Sequence, residues 1–290
     1  MEGKDIIMRN MCAGIVTFNP NINRLISNIQ SVLGQVEEVI ICDNASNNIR
    51  QIEDILGQSC KLKLIKNRKN NGIAYALNQI FELAELENME WVLTLDQDSI
   101  CPQGMVDCFS GYINKQTGII APLFKDPKIE YGSINSNNEV IEIQNCITSG
   151  SFTNLQAWKA VDGYDSSMFI DFVDFDFCYR IRKAGYKILQ IPSVILNHTI
   201  GETEEKNIFG KRIILTNHSN MRKYFIIRNF IYYRKKNCII DKVEKKAMKK
   251  KVFKTIFFEK DKTGSVKAFV KGWIDGYRIV KGKEPKGWKN

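Results

Sequence analysis

Histidine is scarce in this chain, with His198 and His218 the only two and twenty residues apart. That scarcity argues against a histidine-rich zinc centre. Eight cysteines are scattered without a Cys-x-x-Cys pair. Cys42, Cys146 and Cys178 lie in apolar surroundings, the setting of buried free thiols in a reducing compartment. No apolar run approaches the ~20 residues that span a bilayer. The N-terminus, Met1-Glu2-Gly3-Lys4-Asp5, mixes acids with its lysine and leads directly into a strand-like run, unlike a signal peptide. There is no low-complexity segment, and no internal repeat beyond the β-α units described below.

What is present is enough for a full core: 290 residues, 44% hydrophobic and 26% charged, the size of one large domain with an appendage. The net charge of +10 is unevenly placed. Residues 241–290 hold 16 Lys/Arg against 6 Asp/Glu, whereas residues 1–240 hold 26 of each and are neutral. Such asymmetry points to an anionic surface, lipid or nucleic acid, although a solvated lysine-rich helical face has the same composition.

Strand and helix signals alternate through the first half. Residues 13–18 form an apolar strand stopped by Asn19-Pro20. Apolar residues at 22, 25, 26, 29, 32 and 33 follow at helical spacing. Strands are expected at 39–42, 62–65 and 91–95, with helices at 49–56 and 73–86 between them. These β-α repeats describe a mostly parallel α/β sheet, whose ligands bind at the carboxyl ends of the strands. The middle third is less regular, with helices expected at 102–112, 157–161 and 172–184. Strands are expected at 118–123, 141–147, 150–155 and 187–190. A long aromatic helix is expected at 221–233. Residues 243–258 read as a basic amphipathic helix, suited either to a membrane surface or to packing on the core.

Polar residues cluster where strands end. Asp96-Gln97-Asp98 follows the apolar run 91–95. Two carboxylates one residue apart repel each other and resist desolvation, so a hard divalent cation with phosphate oxygens as co-ligands suits them. Surface turns carry the same pattern. Thr17 to Pro20 and Asp43 to Ser46 end two neighbouring strands. Asp43 could accept hydrogen bonds from a base or ribose, or cap the next turn. Asn67 to Gly72 suits a tight loop near a ligand, with Gly72 permitting close approach or positive φ. Farther on, Asp171, Asp174 and Asp176 alternate with bulky apolar residues. On a helix Asp171 and Asp174 share a face, while Asp176 turns away toward Arg180. A carboxylate in an apolar wall can serve as a general base, or these acids can cap the helix. His218, Arg222 and Arg228 supply donors suited to a diphosphate.

With these residues in view, the chain resembles family 2 glycosyltransferases, and among them the bacterial rhamnosyltransferases of cell-surface polysaccharide synthesis. The resemblance covers roughly residues 12–235. It is carried by Gly14-Ile15-Val16-Thr17-Phe18-Asn19-Pro20, Asp43-Asn44-Ala45-Ser46, Asn71-Gly72-Ile73-Ala74 and Leu95-Asp96-Gln97-Asp98-Ser99. It continues through Thr148-Ser149-Gly150-Ser151, the 171–180 block and His218 to Asn229.

The resemblance implies a GT-A fold over residues 1–235, with a nucleotide-sugar half to about 123, an acceptor half from 124, and a basic helical region at 236–290. It implies that Thr17, Asn19, Asp43, Asn67, Gly72, Asp96, Gln97 and Asp98 bind the nucleotide sugar. Asp98 and His198, the latter in His198-Thr199-Ile200-Gly201, would hold Mg²⁺ or Mn²⁺. Asp174 would be the base, with Asp171 an alternative because Val173-Asp174 stands where the family has Glu-Asp. Ser149, Gly150, Asp176, His218, Arg222 and Arg228 would meet diphosphate or acceptor.

The implied reaction is inverting transfer of L-rhamnose from dTDP-β-L-rhamnose to a glycan or polyprenyl-diphosphate-linked saccharide. Its place would be the cytoplasm, peripheral on the inner face of the membrane, with the basic region on anionic lipid. Glucosyl, galactosyl or N-acetylhexosaminyl donors would need the same chemistry. A non-catalytic basic membrane- or nucleic-acid-binding protein is the remaining reading. Nucleic acid is not expected, because the acid clusters would repel a polyanion.

Overall fold

Residues 10–57, 59–125, 139–197, 204–208 and 211–288 are described by a computed structural model. By compactness the chain divides into two units. One is Met1–Ser167 with Val173–Thr199; the other is Met168–Phe172 with Ile200–Asn290. Thus α7, described below, groups with the basic helices that follow residue 236.

The first unit begins with the expected alternation: β1 (Met11–Thr17), α1 (Ile22–Leu33), β2 (Glu38–Asp43), α2 (Ile49–Leu56), β3 (Leu62–Lys66), α3 (Ile73–Leu86) and β4 (Trp91–Asp96). It continues with α4 (Met105–Ser110), β5 (Thr117–Lys125), β6 (Ile141–Glu142), β7 (Phe152–Asn154), α5 (Leu155–Ala160), α6 (Val173–Lys183) and β8 (Lys187–Asn197). These strands form one sheet in the order β3-β2-β1-β4-β7-β5-β8-β6. The first four in that order run parallel, while β7 and β6 are antiparallel to their neighbours. The sheet is therefore mixed, with its parallel half supplied by the β-α repeats.

Burial explains the parallel half. Cys12, Ala13 and Ile15 of β1 have no exposed surface, nor do Val39, Ile40 and Ile41 of β2. Strands buried on both faces read as continuous apolar runs. Helix α1 starts where the Asn21 side chain accepts from Arg24 N at 3.1 Å and lays Leu25, Ile29 and Val32 on the core. Trp91 and Phe152 stack at 4.9 Å and pack β4 against β7. Burial also pushes the Cys42 and Cys101 thiols up to about 12, so both stay protonated; all eight cysteines are free.

In the first unit two strands differ most from expectation. The one expected at 141–147 shortens to β6, because the chain beyond it bonds to a turn instead of a ladder. Ile147 O accepts from Ser151 Oγ at 2.6 Å, and Thr148 O from Thr94 Oγ1 at 2.5 Å. The strand expected at 187–190 runs on to Asn197. Pro192 is accommodated where the β5–β8 register slips from Pro122↔Ile191 to Leu123↔Ile195.

The second unit contains the antiparallel pair β9 (Glu204–Ile208) and β10 (Lys211–Leu215), then α7 (Asn220–Lys236), α8 (Lys242–Phe258) and α9 (Lys262–Val280). Ile227, Phe230, Ile231 and Phe269 form a small core that Met248, Val252 and Ile256 of α8 cover. Lys223 and Glu259 pair at 2.6 Å with almost no exposed surface, and Lys223 Nζ also donates to Ser265 Oγ at 2.9 Å. Helix α9 falls within the basic helical region expected at 236–290, although its own bounds were not marked by an apolar pattern. Its buried face is Ser265, Ala268, Phe269, Gly272, Asp275 and Gly276, mostly too small for an apolar pattern to reveal. Those small residues let α9 approach the α7 backbone. A Cβ on Gly272 would run into Tyr224 O, and one on Gly276 would lie 2.8 Å from Arg228 O.

Helix propensity alone favours alanine over glycine by about 1 kcal/mol. At Gly272 the obstacle is a backbone carbonyl that no rotamer change relieves, so overpacking should win. Gly272→Ala is expected to destabilise by about 1–3 kcal/mol. The control Lys267→Ala, exposed on the same helix, should stay within about 0.5 kcal/mol. Thermal or urea unfolding of the two variants checks this.

Candidate active site

Register brings the strand-end polar residues of the first unit together. Thr17 lies opposite Asp43 and Val16 opposite Asp96. The Asp43 carboxylate is 1% exposed and accepts from Thr17 Oγ1 at 2.9 Å, Ser46 N at 2.9 Å and Ser46 Oγ at 2.5 Å. These three donors satisfy the buried carboxylate and hold the β1 and β2 ends as one piece. Asn19, with φ of 48°, sits beside them: its N–H donates to Ser46 Oγ at 2.7 Å and its Oδ1 accepts from Asn47 N at 2.8 Å. Asn67 N donates to Asp43 O at 2.9 Å, and its side chain donates to Asn44 Oδ1 at 3.1 Å. Asn44 in turn donates to Gly72 O at 3.2 Å. Gly72, at φ of 90°, begins α3 in a conformation other residues resist.

The end of β4 joins this edge. Gln97 Oε1 accepts from Phe18 N at 2.9 Å. Asp96 is half-buried and its N–H donates to Ser149 Oγ at 3.0 Å; Ser149 Oγ lies 2.8 Å from Ser99 Oγ. Gly150, at φ of 76°, packs behind that bond, where a Cβ would meet Leu196 and Pro122. Asp98 is exposed and borders a cleft of about 790 Å³ with Asn21, Asn23, Arg24, Ser27 and Asn197. That size suits a nucleotide sugar.

Two residues here escape sequence reasoning. Arg24 Nε donates to Asp98 O at 2.7 Å, and Asn28 Nδ2 donates to Asp96 O at 2.6 Å. A signal existed for Asn28, a polar residue on the buried face that Leu25, Ile29 and Val32 define. Arg24 is one turn before it.

The three later acids part company. Asp174, in the first turn of α6, is half-buried and accepts from Phe175 N at 2.9 Å. On its inner side it borders a small cavity of about 10 Å³ with Cys146, Thr148, Tyr164 and Cys178, room for one water. Asp176 has no exposed surface and pairs with Arg180 Nε at 2.7 Å; that guanidinium also donates to Val161 O and Gly163 O. Asp176 thus faces the interior of its unit, whereas the resemblance implied contact with diphosphate or acceptor.

Asp171 belongs to the second unit. Its carboxylate accepts from Arg222 Nε and Nη2, both at 3.2 Å, while Asp171 and Phe172 hold φ of 64° and 65°. Consecutive left-handed residues cost about 1–2 kcal/mol each. Asn229 offsets this by donating to Ile170 O at 2.7 Å and Asp171 O at 2.9 Å. Arg228 is buried, donates to Asn229 Oδ1 at 2.8 Å and lies 4.6 Å over the Phe225 ring. Burial, helped by the Arg222, Lys251 and Lys223 charges, lowers His218 to about 4, so its imidazole is neutral at pH 7. His198 lies outside the described residues.

Among the described residues no group of three or more His, Cys, Asp or Glu converges to hold a metal ion. The exposed Asp98 carboxylate, with oxygens brought by a ligand, is a donor set that suits a hard ion.

Comparison with known proteins agrees with this geometry. The chain matches Glycosyl transferase family 2 over residues 12–172. It is 28% identical over 292 residues to the dTDP-rhamnosyl transferase RfbF of Shigella flexneri, covering 94% of this chain and 97% of that protein. The mannosyltransferase PcManGT of Pyrobaculum calidifontis, solved with GDP-Man and Mn²⁺, matches with a TM-score of 0.59 at 11% identity. That match covers 96% of this chain and 76% of PcManGT. TarS 1-349 of S. aureus gives 0.56 at 11% identity, over 93% of this chain and 72% of that one. The structural likenesses establish a GT-A-like core. With the matched segment covering more than half of its length, the chain belongs to glycosyl transferase family 2.

Proposed function

We propose that this enzyme transfers L-rhamnose, with inversion, from dTDP-β-L-rhamnose to a glycan or polyprenyl-diphosphate-linked saccharide. The observation that carries a nucleotide-sugar donor is the single sheet edge formed by Thr17, Asp43 and Asp96-Gln97-Asp98, with Asp98 bordering an open cleft. Rhamnose is favoured by the Shigella relative's stated activity and its near end-to-end alignment. Another hexosyl donor is the second reading, since a mannosyltransferase shares the fold.

In this reading the Asp43, Thr17 and Asn67 cluster receives the nucleoside, and Asp96 and Gln97 lie by ribose and phosphate. Asp98 and the donor diphosphate would hold Mg²⁺ or Mn²⁺, which would neutralise charge on the departing dTDP. Asp174 takes the proton from an acceptor hydroxyl as that oxygen attacks the anomeric carbon. The bond from that carbon to the diphosphate oxygen breaks on the opposite face, turning a β donor into an α linkage. Asp174 is preferred to Asp171 because the family's base falls on it by motif; the Asp171 carboxylate is engaged by Arg222. Carried over by motif, Ser149, Gly150, His218, Arg222 and Arg228 are the remaining candidates for diphosphate or acceptor contact, and His198 for metal or diphosphate. A polyprenyl-diphosphate-linked acceptor would put the work at a membrane face.

Release of dTDP from dTDP-β-L-rhamnose, with Mg²⁺ or Mn²⁺ and glycolipid acceptors, tests this. Asp98→Ala and Asp174→Asn should each lower kcat by about 10²-fold or more, and Asp171→Asn by less than Asp174→Asn. Turnover with a different nucleotide sugar, and none with dTDP-rhamnose, would keep the chemistry and overturn the donor. Arg24→Ala, which frees the Asp98 backbone, should raise the Mn²⁺ concentration for half-maximal activity about tenfold while changing kcat at saturating metal much less. Equal Mn²⁺ curves for wild type and variant would refute that positioning role.

A further inference from the structure

The expected amphipathic helix, α8, uses Met248, Val252 and Ile256 to cover the small core of its own unit. The unpartnered apolar face belongs chiefly to α9. Val266, Val270, Trp273, Ile274, Tyr277 and Val280 recur at the three-and-four spacing of one helical face, and each is at least 36% exposed. Their arrangement inverts the usual one, with glycine, alanine and serine turned inward and the large residues outward.

Two grooves of the second unit border this face. One, of about 710 Å³, is lined by Val266, Val270 and Ile274, with Lys262, Lys267, Lys271 and Lys286 around it. The other, of about 540 Å³, places Trp273 and Tyr277 with Phe230 and Ile231, and its cations are Arg234, Lys235, Lys245 and Lys249. Apolar walls with several cations around them match a lipid leaflet, where acyl chains meet anionic headgroups and lysine stems keep their ammonium groups at the boundary. Tryptophan and tyrosine suit that boundary.

We infer that the outward face of α9 is a docking surface for an anionic lipid membrane. This deepens the membrane-side reading given above and does not depend on which sugar is transferred. A second copy of the chain is the weaker occupant, because two such faces would bring their lysines together across the contact. No helix among the described residues is long and apolar enough to cross a membrane. Docking would therefore be superficial, with the helix lying in the interface plane.

Flotation of the full chain with vesicles tests the surface. The wild type should float with equimolar phosphatidylcholine–phosphatidylglycerol vesicles and not with phosphatidylcholine alone. Val270→Glu with Trp273→Glu should abolish flotation, while melting temperature and turnover on a water-soluble acceptor stay unchanged. Lys267→Gln and Lys271→Gln should each weaken partitioning about fivefold. Failure of the wild type to float with the anionic vesicles would overturn the inference. So would unchanged flotation of the double variant, or a concentration-dependent dimer in sedimentation that the double variant abolishes. Turnover on the soluble acceptor reads the catalytic proposal separately, so failure of one leaves the other standing.

Discussion

Backbone hydrogen bonding holds β1 between β2 and β4 in a register that sets Thr17 opposite Asp43 and Val16 opposite Asp96. The site of the first unit rests on that pairing. Neighbouring strands lie about 4.8 Å apart, so three strand ends at one level bring their polar residues within reach of one ligand. Slipping either partner by one residue would turn alternate side chains to the other face and separate Thr17 from Asp43. The continuous burial of β1 and β2 makes such a slip costly, because it would break an apolar core together with a polar edge.

The polar edge is itself prearranged. Asp43 is a buried carboxylate, and without its three donors the desolvation cost would be several kcal/mol. With them it anchors the turn through Ser46, which in turn receives Asn19. Asp98 differs in being exposed, its backbone carbonyl held by Arg24. A fixed recognition element beside a carboxylate open to solvent is the arrangement that the proposed reading requires, in which the one receives the nucleoside and the other a cation arriving with the substrate. Preorganisation of this kind places donors before charge develops, so little reorganisation remains for the reaction.

Much of this was legible because apolar runs and strand-end polarity are local signals. The runs at 13–18, 39–42 and 91–95 mark the central strands, and Asp43 and Asp96 follow from where those runs stop. The i,i+4 spacing marks the Asp176–Arg180 pair as well, although the spacing does not reveal that Asp176 loses all its exposed surface to that pair. What was illegible depends on tertiary contact. Nothing local announces that Arg222 reaches back fifty-one residues to Asp171, or that Asn229 supports two left-handed residues there. Pattern reading failed at β6 because side-chain and turn bonds at Ile147 and Thr148 replaced a ladder. At β8 it stopped at a proline that the register shift absorbs.

Helix α9 shows why large apolar residues are an imperfect guide to a core. Close approach to the α7 backbone requires small residues, and Gly272 and Gly276 supply them. Contact with backbone then replaces contact with leucine or isoleucine, so the buried face looks weakly hydrophobic in sequence. The large residues that such a helix does carry are left outside. A single exposed valine needs no explanation, since more than half of any protein surface is apolar. Six recurring on one face are a different matter, because water meets them as a contiguous strip, and strips of that kind mark interaction sites or aggregation liabilities. Lysines flanking the strip resolve that ambiguity physically: they oppose self-association and favour a negatively charged apolar partner. The inward glycines and the outward tryptophan are thus two consequences of one arrangement, in which α9 packs through its backbone and keeps its side chains for something else.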